Sequence, residues 1–434
     1  MFSPKMPAGD VNAGERGGAP FPATAAAAPV VAVKRPAAEQ VAGAGPAAVT
    51  PRFEFATAQR IVFGEGAAGE LPALVSGLGR RVFFVGGSDP RRQGGLLAAL
   101  AATVDALEVF AVSGEPTVAL VEEGARQARA ARATVVVAVG GGSAIDAGKA
   151  IAALAANPGQ ALDYLEIVGR AQPLAVPPLP FIAVPTTAGT GAEVTRNAVL
   201  AVPGARLKVS LRSAAMLPRV ALVDPALALG LPAAATAATG MDALTQLVEA
   251  YLSCRANPMT DALCRDGIGR VGRALPQALA QPQNLAARSD LALGALYSGI
   301  ALANAGLGAV HGFAAPIGGL FPAPHGAVCA ALLAPVLGAN LAALRARAPR
   351  HPALARIGEV ARWLTGDAAV EADEAARFCA ALSRSLAIPS LGAWGVSSGD
   401  VSVIVEKAAA ASSMKGNPLV LTSAELAAAL EAAL

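Results

Sequence analysis

Between Phe53 and Val223, short apolar runs typical of β-strands alternate with stretches that have helical periodicity. The strand-like runs include RVFFVGG, LEVFAVSG, TVVVAVGGG and FIAVPTT, and VALVEEGARQARAA is one of the helical stretches between them. This alternation predicts a parallel sheet covered by helices. After Asp224 the β-branched runs nearly vanish, and long Ala/Leu helical periods continue to Leu434. We therefore predict an α/β domain at 53–223 and an all-helical domain at 224–434, with a ligand cleft between them.

The first 52 residues have a different character. They are rich in Ala, Pro and Gly and lack a sustained hydrophobic period, so they bury too little apolar surface to offset the entropy of ordering them. Residues 1–20 contain no unbroken apolar run of the kind that a secretory signal needs. The sequence predicts a disordered tail at 1–52.

Composition and charge narrow the class of partner. Of the 434 residues, 54% are hydrophobic but only 4% are aromatic, so alanine supplies much of the apolar total, as in Ala-rich helices. The net charge is +3 and the arginines are scattered, so the sequence lacks the basic stripe of a nucleic-acid-binding protein. We expect a protein that acts on small molecules and binds no nucleic acid.

The cysteines and the longest charge-free stretch bear on location. The four cysteines form no CxxC pair, which fits a reducing compartment, so we predict a cytoplasmic protein whose cysteines fill the core. Residues 291–344 contain no Asp, Glu, Lys or Arg, and that length raises a membrane-spanning interpretation. Glycines and prolines interrupt this stretch repeatedly, and it carries His311, His325 and Asn340. We therefore predict no membrane span.

A glycine-rich turn follows one strand-like run. TVVVAV leads into Gly140, Gly141, Gly142 and Ser143, which open the helical stretch SAIDAGKAIAALAA. A strand, a glycine turn and a helix N-terminus together expose backbone N–H groups and a positive dipole end, which suit a pyrophosphate. The motif differs from the GxGxxG dinucleotide fingerprint, and a plain tight turn in an α/β domain is an equal alternative.

A second such turn is PTTAGTGAEVT, residues 185–195, again after a strand-like run. Thr186, Thr187 and Thr190 offer hydroxyl donors beside two glycines, as the second wall of a nucleotide site would. An ordinary Ser/Thr turn is the alternative. Lys208 is a candidate phosphate or ribose contact, although a lone lysine on a solvated face is commoner.

The chain has only three histidines, His311, His325 and His351. The first two lie fourteen residues apart in the charge-free stretch, and Asp242 on a predicted helix offers a carboxylate that would complete a metal site with them. Gln246 follows Asp242 by one helical turn and points the same way. Other roles stay open: buried histidines are usually core residues, Asp242 suits a helix N-terminus, and Gln246 suits a hydrogen bond back to Asp242. His351 lies among arginines and is predicted to be on the surface.

In this order, the motifs resemble those of the iron-containing (group III) alcohol dehydrogenase family, whose fold is similar to glycerol dehydrogenase and dehydroquinate synthase. The resemblance runs from about Phe53 to Leu434. It is carried by IVFGEG, GGGSAIDAGKAIA, PTTAGTGAEVT, LVDPAL, ATGMDALT, GAVHGFAAPIGG, PHGAVCA and GNPLVLTSAEL. It implies a Rossmann-like nucleotide-binding domain, a helical domain, a metal in the cleft between them, and a homo-oligomer of two or more chains.

The resemblance also implies a ligand set. The family holds its metal with an Asp and a His four residues apart on one helix and two further His fourteen apart. Asp242, His311 and His325 match these ligands, and Gln246 stands where the first His is expected. Relatives similar to glycerol dehydrogenase use one carboxylate and two histidines, so we predict a divalent ion, Fe²⁺ or alternatively Zn²⁺, on the three matching residues. Gln246 is then a weaker fourth ligand through its carbonyl oxygen, or a hydrogen-bonding partner of the ligands.

Two further departures from the family pattern concern the reaction and the cofactor. Many members carry a histidine where this chain has Ala315, so proton transfer must use water, a ribose hydroxyl or a substrate group. NAD-preferring members place an Asp where this chain has Gly87, and Arg91 and Arg92 follow it, which favours NADP over strict NAD use. The residues predicted to bind NAD or NADP are Gly87, Gly140, Gly141, Gly142, Ser143, Asp146, Thr186, Thr187, Thr190 and Lys208.

We therefore expect a metal-dependent, NAD(P)-linked oxidoreductase that interconverts an alcohol and an aldehyde or ketone by hydride transfer. Asp242, His311 and His325 are the predicted catalytic residues. Two alternatives stay open. One is a metal-independent reductase resembling maleylacetate reductase, which Gln246 favours and Asp242 opposes. The other is a nucleotide-binding relative that has lost catalysis.

Overall fold

The computed structural model describes residues 52–205 and 207–434. The compact unit Pro51–Leu434 contains them all. The disordered tail predicted at 1–52 lies outside the described residues, apart from Arg52.

A parallel sheet occupies the first half of the described chain. In chain order the strands are β1 (Arg60–Phe63), β2 (Arg81–Gly86), β3 (Ala106–Ala111), β4 (Val135–Gly140), β5 (Phe181–Pro185), β6 (Asn197–Val202), β7 (Leu207–Arg212) and β8 (Val220–Val223). Six of the described strands form one sheet in the order β1-β8-β5-β4-β2-β3, and every neighbouring pair in it is parallel. β6 and β7 form a separate antiparallel pair.

The helices follow and interleave with these strands. In chain order they are α1 (Leu71–Ser76), α2 (Gly94–Ala101), α3 (Val118–Ala130), α4 (Gly142–Ala156), α5 (Ala161–Tyr164), α6 (Ala233–Leu252), α7 (Pro258–Ala280), α8 (Leu285–Ala305), α9 (Ala309–Leu320), α10 (His325–Arg347), α11 (Ala353–Thr365), α12 (Asp373–Ser385), α13 (Val401–Ala410) and α14 (Ser423–Glu431). The described residues after Val223 form helices and turns, so the chain divides into an α/β part and a helical part.

Both faces of the inner strands of the sheet are buried, which is why these strands read as continuous apolar runs. Every residue of β4 is buried. Neighbouring residues of a strand point to opposite faces, so Phe83 of β2 packs in the same cluster as Ile151 of α4, whereas Phe84 packs in the cluster that contains Leu71 of α1. Helices on both faces complete these two cores.

The helical part has its own core, in which small residues allow close approach between helices. α6, α7 and α8 pack against one another, and α10 packs against α6. A Cβ added to Gly294 of α8 would lie 2.3 Å from Cγ2 of Val271 of α7, so only a glycine fits at that crossing. This arrangement buries α6, which carries Asp242, along most of its length.

One described helix, α10, is long and apolar enough to cross a membrane, and α8 with α9 passes the same test as a pair bent by 99°. In the structure, 67% of the apolar window of α10 is buried inside the protein. Such burial is the property of a core helix, so the length and hydropathy of α10 are explained by its place in the helical core.

The predicted fold class, a parallel α/β domain followed by an all-helical domain, is confirmed. The last strand of the sheet ends at Val223, and the first long helix of the helical part begins at Ala233. The domain boundary at 223 and 224 stays a prediction.

Candidate active site

Three helices bring together the side chains predicted to hold a metal. Asp242 lies on α6, His311 lies in the first turn of α9, and His325 is the first residue of α10. The backbone is extended at Phe321 and Pro324, as expected beside prolines, so α9 ends and α10 begins within a few residues. This short connection folds His325 back towards His311, and their ring centroids lie 5.4 Å apart.

The donor atoms of these residues face one another. Oδ1 of Asp242 lies 3.4 Å from Nε2 of His311 and 3.8 Å from Nε2 of His325. Asp242 and His311 are buried, whereas the side chain of His325 is 39% exposed. The structure therefore converges one carboxylate and two imidazoles on a common point that is accessible from one side.

A fourth donor, Cys329, was not among the predicted site residues. Its Sγ lies 3.7 Å from Nε2 of His311 and 3.7 Å from Nε2 of His325. The four donor atoms all lie within 4.8 Å of one another. The available signal was the spacing of Cys329, four residues after His325 on one helix face, but a cysteine in an apolar stretch is equally typical of a core.

The surroundings of the Asp242 carboxylate favour a bound cation. The residue is 2% exposed, and its Oδ1 has no hydrogen-bond partner among the described residues. A buried carboxylate oxygen without a partner is costly, and a cation shared with two imidazoles removes that cost. One carboxylate, two imidazoles and a thiol form a donor set that fits a divalent transition metal.

A second buried carboxylate, Glu249, orients His311. Glu249 lies seven residues after Asp242 on α6, and its Oε2 lies 2.7 Å from Nδ1 of His311. Its Oε1 accepts a hydrogen bond of 2.6 Å from the backbone N–H of Val310. Such a carboxylate fixes the histidine tautomer so that Nε2 is free to face a metal. Sequence analysis missed this role, although the two-turn spacing from Asp242 puts both carboxylates on one helix face.

The charges in the cluster stabilise one another. Burial opposes ionisation of Asp242, but the facing His325 and His311 outweigh it, and the pKa of Asp242 lies below its usual value. The charge of Cys329 raises the pKa of His325 to about 9 against desolvation. Desolvation lowers the pKa of His311, but Cys329 and Asp242 raise it well above its usual value. Since imidazole binds a metal only when neutral, a cation must displace protons here.

Gln246, the predicted fourth ligand or hydrogen-bonding partner, engages a neighbouring helix. Its Oε1 accepts a hydrogen bond of 2.8 Å from the hydroxyl of Ser298 on α8, and both residues are buried. The carbonyl oxygen through which Gln246 would bind a metal therefore has a protein partner. Its role towards a metal stays a prediction.

The two glycine-rich turns lie side by side at the carboxyl edge of the sheet. β4 and β5 are parallel neighbours in which Gly140 is opposite Pro185, and the backbone N–H of Thr186 donates to the carbonyl of Gly140 at 2.9 Å. A Cβ added to Gly142 would lie only 2.9 Å from Cγ2 of Thr190. The close approach of these turns requires glycine, and it forms two walls where ligands bind in open α/β sheets.

Other predicted cofactor residues join the same edge. A Cβ added to Gly141 would lie 3.3 Å from Cγ2 of Thr187, and one added to Gly140 would lie 3.5 Å from the backbone nitrogen of Gly87. Gly87 directly follows β2, and Ser143 lies in the first turn of α4. The structure therefore brings three loops of the predicted nucleotide site together.

Asp146 and Lys208, also predicted to contact the cofactor, make protein contacts. Oδ1 of Asp146 lies 3.0 Å from Nζ of the buried Lys149, and its Oδ2 accepts a 3.0 Å hydrogen bond from the backbone N–H of Val199. Nζ of Lys208 lies 3.0 Å from Oε1 of Glu115. Asp146 thereby links α4 to β6, and the cofactor contacts of both residues stay predictions.

The loop after β5 also contacts α6, which carries Asp242, and its neighbour α8. A Cβ added to Gly189 would lie 2.7 Å from Cβ of Thr239, which precedes Asp242 by three residues on α6. A Cβ added to Gly191 would lie 2.4 Å from Cα of Gly299 on α8. The predicted nucleotide loop and the predicted metal cluster are therefore held next to each other.

Comparison with known proteins identifies the family. Residues 58–225 match the model described as iron-containing alcohol dehydrogenase, and residues 236–434 match that of the Fe-containing alcohol dehydrogenase family, C-terminal. The chain is 35% identical over 319 residues to alcohol dehydrogenase 4 of Saccharomyces cerevisiae strain S288c, a match that covers 73% of this chain and 80% of that protein. The chain belongs to the iron-containing alcohol dehydrogenase family.

Two further similarities concern propanediol enzymes. The chain is 45% identical over 223 residues to 1,3-propanediol dehydrogenase of Klebsiella pneumoniae, and this match spans 51% of the chain but only 57% of that protein. A crystal structure of 1,3-propanediol oxidoreductase aligns with a TM-score of 0.81 and 33% identity, covering 88% of this chain and all of that one.

Membership in the iron-containing alcohol dehydrogenase family confirms the predicted resemblance and the oxidoreductase class. The family implies a divalent metal and a nicotinamide cofactor, and a small-molecule alcohol fits its named members. The convergence of Asp242, His311 and His325 beside the glycine-rich loops is the feature of this chain that suits such an activity.

Proposed function

We propose that this protein catalyses reversible hydride transfer between a nicotinamide cofactor and a primary alcohol or aldehyde at the cluster of Asp242, His311 and His325. The observation that carries the proposal is the unpartnered Oδ1 of Asp242, which faces two imidazole nitrogens beside the glycine-rich loops. When bound, the divalent ion supplies Lewis-acid stabilisation of charge on the substrate oxygen, and the nicotinamide supplies or accepts the hydride. The names of the similar dehydrogenases support an alcohol substrate.

The chain's own loops bind and orient the cofactor. α4 begins at Gly142 directly after β4, so its unpaired N-terminal N–H groups and positive dipole end lie at the carboxyl edge of the sheet. We assign the pyrophosphate to this helix end, where such groups bind in doubly wound folds. The hydroxyls of Thr186, Thr187 and Thr190 supply donors from the opposite wall.

The contact between Gly189 and Thr239 positions the reacting groups. Because it holds the proposed cofactor loop within one helical turn of Asp242, a nicotinamide and a substrate bound at these residues would have little freedom left to lose at reaction. Residues 291–344 of the adjoining helices carry no Asp, Glu, Lys or Arg, so few competing charges weaken the electrostatics of the cluster.

Proton transfer is the step for which the chain offers no side chain at the predicted position. Ala315 lies one turn after His311 on α9, is exposed, and has no titratable group. The alcohol proton therefore leaves through water, a ribose hydroxyl of the cofactor or a second group of the substrate.

Metal analysis with activity assays tests the proposal. Protein purified without oxygen is analysed for metals and assayed with NADH and NADPH against a panel of aldehydes and alcohols. We expect a bound divalent ion, Fe²⁺ or Zn²⁺, loss of turnover after exhaustive chelation, and recovery when the ion is restored. Turnover that survives chelation without bound metal would instead identify a reductase similar to maleylacetate reductase. Cofactor binding without any turnover would identify a non-catalytic relative.

A substitution of His311 tests the same proposal. His311→Ala removes a buried donor, and because charge stabilisation by a metal is worth several kcal/mol, kcat/KM should fall about 10³-fold. His351→Ala, which alters the half-buried histidine before α11, is the matched control and should retain activity. Near-normal turnover of His311→Ala would contradict the proposed site.

The preference between the two cofactors is a finer proposal, in favour of NADP. Gly87 follows β2 and presents no carboxylate to repel a 2′-phosphate. Arg91 pairs with Asp89 at 2.8 Å, which leaves the exposed Arg92 of the same turn to meet a phosphate. We expect a higher kcat/KM with NADPH than with NADH and a reversed order in Gly87→Asp; a wild-type preference for NADH would overturn this proposal.

Assembly and location belong to the proposal as well. A homo-oligomer of two or more chains is expected from the family and is measured by light scattering. A cytoplasmic location is supported by the four cysteines of the described chain, which form no disulfide. The domain boundary at 223 and 224 is proposed on the change from strand to helix there.

A further inference from the structure

We infer that Cys329 is a metal ligand in this chain and that, together with Asp242, His311 and His325, it forms a site that selects zinc. The inference rests on the proposed metal-dependent function and deepens it. It assigns the fourth donor to α10, whereas the family resemblance expects that donor on α6, at Gln246.

The separations between donor atoms support one shared ion. Zinc binds a cysteine sulfur at about 2.3 Å and a histidine nitrogen at about 2.0–2.1 Å, so tetrahedral angles put these two donors about 3.6 Å apart. Sγ of Cys329 lies 3.7 Å from Nε2 of His311 and 3.7 Å from Nε2 of His325. Both sulfur–nitrogen separations are therefore within about 0.1 Å of the value for one shared zinc ion.

The same test applies to Asp242. A carboxylate oxygen and an imidazole nitrogen on one tetrahedral zinc ion lie about 3.4 Å apart. Oδ1 of Asp242 lies 3.4 Å from Nε2 of His311 and 3.8 Å from Nε2 of His325. Four of the six donor pairs therefore have separations close to those of a tetrahedral ligand set, and all six lie within 4.8 Å.

The surroundings of Cys329 differ from those of a core cysteine. Cys379 of α12 is also fully buried, and there burial alone raises the pKa of the thiol to about 12. Cys329 is equally buried, but its sulfur faces two imidazole rings. A thiol that only fills space has no need of such neighbours, whereas a metal-binding thiolate does.

Gln246 is engaged in a way that accounts for the change of donor. Its Oε1 accepts the 2.8 Å hydrogen bond from Ser298, and the Ser298 hydroxyl also approaches the carbonyls of Ala295 and Gly189. Gln246 thus ties α6 to α8 and to the predicted cofactor loop. A metal bond through the same oxygen of Gln246 would compete with this buried hydrogen bond.

A thiolate from Cys329 in place of an amide oxygen from Gln246 changes the chemistry of the site. A carboxylate and a thiolate together carry two negative charges, which neutralise a divalent cation inside a buried cluster. Thiolate is a soft ligand that favours zinc over iron(II), magnesium or manganese, so the site should select zinc or cobalt(II). Four protein donors still permit substrate to enter, because zinc expands to five-coordination.

Cobalt(II) substitution of the full-length protein tests the inference without an activity readout. A cobalt–thiolate bond gives an intense sulfur-to-metal charge-transfer absorption in the near ultraviolet, which nitrogen and oxygen ligands do not give. We expect this absorption in the wild-type protein loaded with cobalt. Its absence from protein that binds cobalt stoichiometrically would overturn the assignment of Cys329, and this measurement requires no variant to fold.

Two cysteine variants locate the absorbing sulfur. Cys329→Ser should bind cobalt without the charge-transfer band and should bind zinc at least about tenfold more weakly, since even outer partners of metal ligands cost that much. Cys379→Ala, a buried cysteine on another helix, is the matched control and should keep the band. A band that persists in Cys329→Ser would also overturn the inference.

A rescue variant separates this inference from the proposed function. In Cys329→Ala, adding Gln246→His should restore zinc affinity without restoring the cobalt band, because the donor returns to α6. If wild-type protein binds no zinc, iron or cobalt, the proposed metal-dependent function fails and this inference fails with it. If it binds a metal without a sulfur band, only the role of Cys329 fails.

Discussion

The proposed nucleotide loops and the proposed metal cluster lie next to each other but are built on different principles. The loops after β4 and β5 approach each other closely at glycines, such as Gly142 against Thr190. They offer mainly backbone groups to a ligand. The cluster is made of side chains, and its donors Asp242, His311 and His325 come from three helices. Backbone groups survive most substitutions as long as small residues are kept, whereas a side-chain site changes its chemistry with each residue.

Buried charge also differs between the two regions. Beneath the loops, Lys149 pairs with Asp146, and the buried Glu193 follows in the short 3₁₀ turn Ala192–Val194. In the helical part, Asp242 and Glu249 both face His311. The first set ties α4 to the β6–β7 hairpin, and the second set converges on one point. We therefore expect charge changes beneath the loops to affect folding and those in the cluster to affect metal binding.

Glu193 gives the largest expected effect on stability. Burial raises its pKa to about 7, against partial compensation by Lys149. The folded chain therefore holds a proton between about pH 4.5 and 7 that the unfolded chain has released. The contribution of protonated Glu193 to the free energy of unfolding is fully present below pH 4.5. Roughly 3 kcal/mol of this contribution is lost as the pH rises through 7. Glu193→Gln should remove this part of the pH dependence.

The measurement compares urea unfolding of wild type and Glu193→Gln at pH 5 and pH 8. The difference between the two proteins isolates Glu193 from the other titrating groups. Glu108→Gln, on the exposed side of β3, is the control and should leave the pH dependence unchanged. A parallel loss of bound metal in Glu193→Gln would break the distinction between the regions, because this charge would then act on the cluster.

The sequence predicted the loops and the cluster from different signals. Glycine turns between strand-like runs and helices predicted the loops, because a close approach leaves few residue types able to fit, as at Gly140 and Gly142. Asp242, His311 and His325 were predicted as metal ligands because histidine is rare in this chain and their spacing matches a family pattern. The fold class followed from the alternation of strand-like and helical stretches, and the family followed from the order of the motifs.

The rest of the cluster depended on distances between helices. Cys329 and Glu249 carry no local signal that separates a ligand or its support from a core residue or a helix charge. Their roles come from the way α6, α9 and α10 converge, which periodicity does not encode. Gln246 shows the converse: its position in the motif predicted a ligand or a partner of ligands, whereas its hydrogen bond to Ser298 depends on where α8 crosses.

Glu249 offers the next prediction, on metal binding. Its Oε2 holds Nδ1 of His311 at 2.7 Å, so Glu249→Gln weakens the support of that ring and lowers its basicity. We expect zinc or iron to bind about 10–100-fold more weakly, with little change in the Michaelis constant for the cofactor. Competition with a chelator of known affinity measures this. Glu406→Gln, on the exposed face of α13, is the control, and equal affinity in both variants would show that Glu249 acts on the fold alone.

Substitution of Gly142 gives the smallest expected effect. Unlike substitution of Glu249, it should weaken cofactor binding and leave metal binding unchanged. A Cβ there meets Cγ2 and Oγ1 of Thr190 at 2.9 Å, so Gly142→Ala must push the two loops apart. Overpacking of this kind costs about 1–3 kcal/mol, and the lower end of that range corresponds to roughly a fivefold rise in the Michaelis constant for the cofactor. Gly95→Ala on α2, where an added Cβ meets nothing within 4 Å, should leave it unchanged. Metal content should be the same in both variants. If Gly142→Ala loses metal instead, the loops and the cluster form one coupled site, because the contact of Gly189 with Thr239 then transmits the shift to Asp242.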